Sequence, residues 1–157
     1  FLNQAVTITG LGSAMFRNAI ESVKEVRSKA ERDFWQGQLE DWKPDQFQGE
    51  DVLELSNRFF RPRRKSEQED GVPLTEDIDP NGVLARLAGT NLIHTEDNVV
   101  KYFRGMLDGK KKRYIPARPQ VFRLGDIVEA QCSVVFVKSK GGGVKTKLIL
   151  RALVLVN

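Results

Sequence analysis

The sequence predicts an α+β fold in which a long N-terminal helix packs on a small antiparallel β-barrel or sheet of about five strands, OB-like in type. Three observations lead there. Apolar residues recur at helical intervals of three and four only from residue 13 to about 39. Two long runs rich in Val, Ile and Leu, 127–138 and 144–156, are joined by Ser139-Lys140-Gly141-Gly142-Gly143, which supplies the positive-φ residues of a hairpin loop. The chain between helix and hairpin offers shorter extended runs separated by Gly, Pro, Asp and Asn. The expected organisation is an N-terminal segment and amphipathic helix over 1–44, then an antiparallel β domain over 45–157 with a charged mobile loop at about 61–81.

In the helix, Phe16, Ala19, Ile20, Val23, Val26, Ala30 and Phe34 make one apolar stripe. Ser13 is the expected N-cap, Glu21 with Lys24 and Glu25 with Lys29 are opposite-charge pairs at helical spacing, and Gly37 and Pro44 bracket the exit. Residues 51–60 alternate around Val52, Leu53, Leu55, Phe59 and Phe60 and read as a first strand. The pattern then fails: Arg61, Arg63, Arg64 and Lys65 are followed by six acids between Glu67 and Asp79, with little apolar content. Residues 83–87 and 91–94 read as one strand broken near Gly89, with 99–106 as its hairpin partner across the turn Thr95-Glu96-Asp97-Asn98. A further turn at Asp108-Gly109-Lys110 leads to the extended piece Tyr114-Ile115-Pro116, and Pro116 and Pro119 exclude helix there. In 127–138, Val128, Ala130, Cys132, Val134 and Phe136 share a face. Both faces turn apolar at 134–137, which predicts a central strand covered by the helix. A helix-backed meander satisfies the same count of elements.

With 157 residues, 40% apolar and 29% charged, the chain is large enough for one hydrophobic core. Its longest apolar runs fall far short of the ~20 residues of a membrane-spanning helix, and the expectation is an intracellular protein, with the nucleus one candidate compartment. The single cysteine, Cys132, lies in an apolar strand run and is expected in the core. The chain begins at Phe1 and stops at Asn157 directly after a strand, so it reads as part of a longer protein.

Charge is unevenly placed. From Lys101 onwards there are 13 basic residues against three acidic ones, a net of +10 in a chain whose total is +4. A cationic sheet surface of this kind points to a polyanion, with nucleic acid as the first partner class. The expected phosphate contacts are Arg61, Arg63, Arg64, Lys110, Lys111, Lys112, Arg113, Lys140 and Lys145, and the stacking candidates are Tyr102, Tyr114 and Phe122. Lysines at hairpin tips also guard sheets against aggregation, and strand aromatics also fill cores. Neither an RNP motif, a zinc knuckle nor a helix-turn-helix is found, so recognition is expected through backbone charge rather than base edges.

Enzymatic chemistry is poorly supplied. His94 stands beside Glu96 and Asp97, but one histidine at a turn lacks the further ligands of a zinc site or a partnered nucleophile. Gly141-Gly142-Gly143-Val144-Lys145 has neither the spacing nor the strand-to-helix setting of a P-loop. The sequence therefore predicts a non-enzymatic module without cofactor or metal.

The residues Gly82-Val83-Leu84, Ile93-His94-Thr95-Glu96-Asp97-Asn98, Val100-Lys101-Tyr102-Phe103, Phe122-Arg123-Leu124-Gly125-Asp126-Ile127-Val128-Glu129-Ala130-Gln131 and Leu148-Ile149-Leu150-Arg151-Ala152-Leu153 carry a resemblance to an abundant protein family of mushroom-forming fungi. The shared pattern covers about half of the chain, from residue 79 to 156. That family has no assigned activity, so the resemblance implies no catalytic residues; its high copy number implies a link with mobile elements by analogy alone. The leading expectation is a nucleic-acid-binding module that contacts phosphates without sequence preference. The runner-up is a protein-interaction or self-assembly module, a homo-oligomer through the helical stripe, Trp35 and Trp42, with no membrane role. The acidic loop, tethered beside a basic sheet, could also compete for it.

Overall fold

Ser13 starts the helix as expected. Its hydroxyl accepts a hydrogen bond from the Phe16 N–H (3.3 Å), and α1 spans Ala14–Ala30 in the computed structural model, which describes residues 2–156. The long helix to about residue 39 does not form. After Ala30 a 3-10 turn, Glu31–Asp33, ends the helical segment, because Leu39 is needed elsewhere. It is buried and bridges Val144 in parallel, with Val144 N–H donating to Gln38 O (2.9 Å) and Glu40 N–H to Val144 O (2.8 Å). Arg27 holds this segment from the helix side, donating to Glu40 O (3.0 Å) and Leu39 O (2.8 Å). Of the expected stripe only Ile20 and Val23 are buried, and Val26 is exposed.

The strands are β1 (Asn3–Thr9), β2 (Asp45–Phe47), β3 (Glu50–Arg58), β4 (Arg61–Pro62), β5 (Leu92–Ile93), β6 (Lys101–Asp108), β7 (Lys111–Pro116), β8 (Val128–Lys138) and β9 (Val144–Leu155). Seven of them form a mixed sheet in the order β1-β3-β9-β6-β7, with β2 also on β3 and β8 on β9; β4 and β5 make a separate antiparallel pair. The sheet does not close, so the expected antiparallel, OB-like barrel is replaced by an open sheet with parallel pairings, Ser56 with Ile149 and Lys101–Arg104 with Ala152–Leu155. The reason lies in β9, whose Leu150, Ala152, Leu153, Val154 and Leu155 are buried. A run buried on successive residues needs cover on both faces and neighbours on both edges, which makes it a central strand.

The expected central strand was β8. Among the described residues it pairs with β9 alone, its residues 134–137 are only half-buried, and Cys132 is exposed rather than in the core. Residues 83–87 form a helix, α2 (Val83–Ala88), and not a strand. Leu, Ala and Arg favour helix, and the Asp79 carboxylate accepts from Leu84 N–H (3.1 Å) and Ala85 N–H (2.9 Å). Partial desolvation opposes its charge, but those N–H groups prevail and hold the Asp79 carboxyl below its usual range. Residues 91–94 and 99–106 do not form a hairpin: β5 pairs with β4, and β6 with β7 and β9. Strand β1 had no counterpart among the expected elements.

The chain divides into two compact units, Asn57–Gln131 with the chain up to Gln4 and from Leu150 on, and Ala5–Ser56 with Cys132–Ile149. In the second, Val52, Leu55 and Leu148 are buried, as are Ile20 and Val23 of the helix, and Phe34 meets Phe136 edge-on at 5.9 Å. In the first, Ile93 and Val100 join the buried end of β9. There the Asn57 side chain donates to Asp97 O (2.9 Å) and Leu150 O (3.1 Å), and Gln4 to Asn98 O (2.8 Å). Among the described residues no helix is long and apolar enough to cross a membrane.

Ile93 is 2% exposed, so Ile93→Ala is expected to cost about 2–5 kcal/mol through reduced burial and the cavity left behind. Urea unfolding checks this; an unchanged midpoint would contradict the burial.

Candidate nucleic-acid interface

The cations 110–113 are placed by a hairpin. β6 and β7 pair antiparallel from Phe103 with Pro116 to Asp108 with Lys111, around a two-residue turn. Gly109 takes the positive φ (63°) that the first residue of such a turn requires. Because side chains alternate along a strand and directly paired residues share a face, the register sorts the hairpin into two faces. Arg104, Met106, Asp108, Lys111, Arg113 and Ile115 lie on one. Phe103, Gly105, Leu107, Lys112, Tyr114 and Pro116 lie on the other.

Arg104 pairs with Leu155 of β9, and among the described residues Gly105–Asp108 and Lys111–Tyr114 pair only with one another. Every residue of β7 is exposed. On the first face Arg113 makes a diagonal ion pair with Asp108 (3.3 Å), both side chains 70% exposed. The side chains of Lys110, Lys111 and Arg104 have no hydrogen bond or ion pair among the described residues. On the second face Glu129 of β8 receives the Lys112 ammonium and, at 3.4 Å, the Tyr114 hydroxyl. Lys112 also lies 5.4 Å over the Tyr114 ring, and Phe103 meets that ring edge-on at 6.4 Å.

The other two stacking candidates, Tyr102 and Phe122, face one another at 5.8 Å, both half-buried. Burial pushes the Tyr102 phenol upward from its ordinary range.

Arg61, Arg63 and Arg64 lie where the chain enters the charged loop. Both guanidinium ends of Arg61 bind the Glu67 carboxylate (Nη1 to Oε2 2.9 Å), which also accepts from the Arg64 N–H (3.1 Å). These hydrogen bonds, first from Arg61 and then from the Arg64 backbone, lower the Glu67 carboxyl to about 2 and push Arg61 upward. Arg63 donates to Glu69 O. Further along, Asp77 pairs with Arg118 (3.2 Å) and accepts from Gln120. The acidic loop is thus fastened to cations of its own unit at both ends. Gly71, at φ 74°, lets the loop pass against β5: a Cβ there would fall 2.4 Å from His94 O, to which Val72 N–H donates (2.8 Å).

His94 itself turns Nδ1 to Phe59 O and its ring edge to Phe60 (6.1 Å). Thr95 and Asn98 close a capping box, while Glu96 and Asp97 are exposed. No group of three or more His, Cys, Asp or Glu among the described residues is placed to hold a metal.

Lys140 and Lys145 belong to the second unit, with Lys140 exposed in the β8–β9 loop and Lys145 on the rim of a cavity of about 190 Å³. Trp42, Asp45 and Glu54 line that cavity, as does Thr146, whose buried hydroxyl has no partner among the described residues. Arg104 is the residue that sequence reasoning missed. Counting strand positions outward from Gly109-Lys110 would have placed it on the face of Lys111 and Arg113.

Comparison of the chain with protein-family models, with curated proteins and with solved structures returned no match.

The Arg61–Glu67 clasp has a definite pH range. A carboxyl lowered from about 4.5 to about 2 favours the folded state fully above pH 4.5, and that contribution disappears as pH falls through about 2. In an NMR carboxyl titration Glu67 is expected to titrate near pH 2, and Arg61→Gln to raise it towards 4.5. An ordinary value in the unaltered protein would show the clasp absent in solution.

Proposed function

We propose that this chain is a non-enzymatic nucleic-acid-binding module that contacts phosphates without base-sequence preference, centred on the β6–β7 hairpin. The observation that carries the proposal is the exposed cation set of that hairpin, in which Arg104, Lys110 and Lys111 have no partner among the described residues. Arg113 and Lys112 have exposed partners of the kind worth about 0–1 kcal/mol. Exchanging such a pair for a phosphate costs little, whereas Arg61 would have to leave a two-point clasp. Arg63 and Arg64 flank that clasp, and Lys140 and Lys145 form a separate set on the other unit. The uneven charge of the sequence supports the same reading, which also favours an intracellular, nuclear setting. The resemblance to the fungal family adds no residue role.

A second reading, self-association, is favoured by Trp35, which stands 85% exposed just after the helix. A large exposed aromatic is a typical interface anchor. Trp42 lines the cavity of the second unit instead of standing free.

The first reading is tested by fluorescence anisotropy with labelled single-stranded DNA, duplex DNA and RNA over a salt series. Replacing Lys110, Lys111, Lys112 and Arg113 by Gln is expected to weaken binding and to flatten the log–log salt slope by about 0.7–0.9 for each phosphate no longer neutralised. Absence of binding to all probes at low salt would overturn the proposal. Sedimentation of Trp35→Ser beside the unaltered chain decides the second reading: only a concentration-dependent oligomer that the substitution disperses would support it.

A further inference from the structure

We infer that the nucleic acid this hairpin fits is B-form duplex DNA, entered through its major groove by the β6–β7 ribbon, and not a single strand. The inference rests on the phosphate-binding reading above and names its ligand. A single-strand binder needs aromatic faces open to bases next to the cations that hold the backbone, and the three aromatics that the sequence offers do not meet this condition. Tyr102 and Phe122 are half-buried against one another. Tyr114 is half exposed, but Lys112 lies over its ring, Phe103 meets it edge-on and its hydroxyl contacts Glu129. Tyr114 also points from the opposite face to Arg104, Lys111 and Arg113. One strand of nucleic acid could not stack on Tyr114 and follow those cations together, and Glu129 places a carboxylate on the stacking side.

A duplex makes no such demand. Among the described residues, Gly105–Asp108 and Lys111–Tyr114 pair with one another and with no third strand. Two paired backbones are about 4.8 Å apart, and the ~12 Å major groove of B-DNA admits a two-stranded ribbon. The major groove of A-form RNA is too deep and narrow to be entered. On the face concerned, Lys111 and Arg113 are about 7 Å apart along one strand, and Arg104 lies on the neighbouring strand. Cations on both strands can therefore reach the phosphates flanking a groove, with the one carboxylate of this face, Asp108, paired to Arg113. Met106 and Ile115, between them on the same face, are 49% and 47% exposed. In a groove these apolar side chains would lie over the groove floor without a hydrogen-bonding group to read base edges.

The test compares a 20-base-pair DNA duplex, one of its strands, and an RNA duplex of the same sequence, at one moderate salt concentration. The chains are the unaltered protein, the triple variant Arg104→Gln, Lys111→Gln, Arg113→Gln, and Tyr114→Ala, each checked for a folded circular-dichroism spectrum. Expected is DNA-duplex binding at least tenfold tighter than either other probe, abolished in the triple variant and retained in Tyr114→Ala. Single-strand binding as tight as duplex binding, weakened by Tyr114→Ala, would overturn the duplex inference and leave phosphate binding standing. Equal binding of RNA and DNA duplexes would overturn groove entry in the same way. No binding of any probe at low salt would overturn the phosphate-binding reading and this inference with it.

Discussion

Strand β9 is the constraint on which the sheet depends. Leu150 and Ala152–Leu155 are buried without the alternation of a half-exposed strand, so the strand requires cover on both faces and hydrogen-bonding neighbours on both edges. The neighbours it takes include β3 and β6, both parallel to it and both remote in sequence, as well as β8 through the glycine hairpin. Parallel pairing cannot arise from a tight turn. The chain must supply those strands from elsewhere, and a closed antiparallel barrel is excluded by the same requirement.

The candidate interface lies on the β6–β7 hairpin, where β6 pairs with β9 from Lys101 to Arg104. Among the described residues nothing pairs with the outer edge of β7, while Glu129 of β8 contacts Lys112 and Tyr114 on one face. Exposed edges invite association with other strands, and lysines are a common guard against it. Lys110 and Lys111 suit that need as well as the proposed phosphate contacts, because both require solvated ammonium groups. Register decides which cations share a face. Arg104, Lys111 and Arg113 share one face, while Lys112 is turned to Glu129 on the other.

The acidic loop is tied to its own unit by opposite charges. Glu67 and Asp77 are each committed to an arginine of the same unit, and Asp79 caps α2. These three acids serve as local structural ties, and the remaining Glu69, Asp70 and Glu76 are exposed. Of the arginines, Arg61 gives up most freedom to this arrangement. Its two-point clasp on a carboxylate held near pH 2 is a stronger tie than any single-point pair on the hairpin.

The sequence by itself determined what local chemistry controls. Ser13 as the helix N-cap, the turn at Gly109, the 95–98 turn and the pair of strands joined by Gly141-Gly142-Gly143 were all legible, because a cap or a turn depends on a few adjacent residues. The alternation of Val52 and Leu55 and the concentration of cations after Lys101 were legible for the same reason. Tertiary structure decided the rest. It took Leu39 out of the helix to bridge Val144, turned 83–88 into a helix around the Asp79 carboxylate, and exchanged the roles of β8 and β9, leaving Cys132 exposed. It also decided that Arg104 stands with Lys111 and Arg113 while Tyr114 does not. The physical reason is common to all of these: an apolar run declares that it will be buried, but which strand is central, which neighbours it pairs with and in which register depend on contacts between residues distant in the chain, and no short stretch of sequence encodes them.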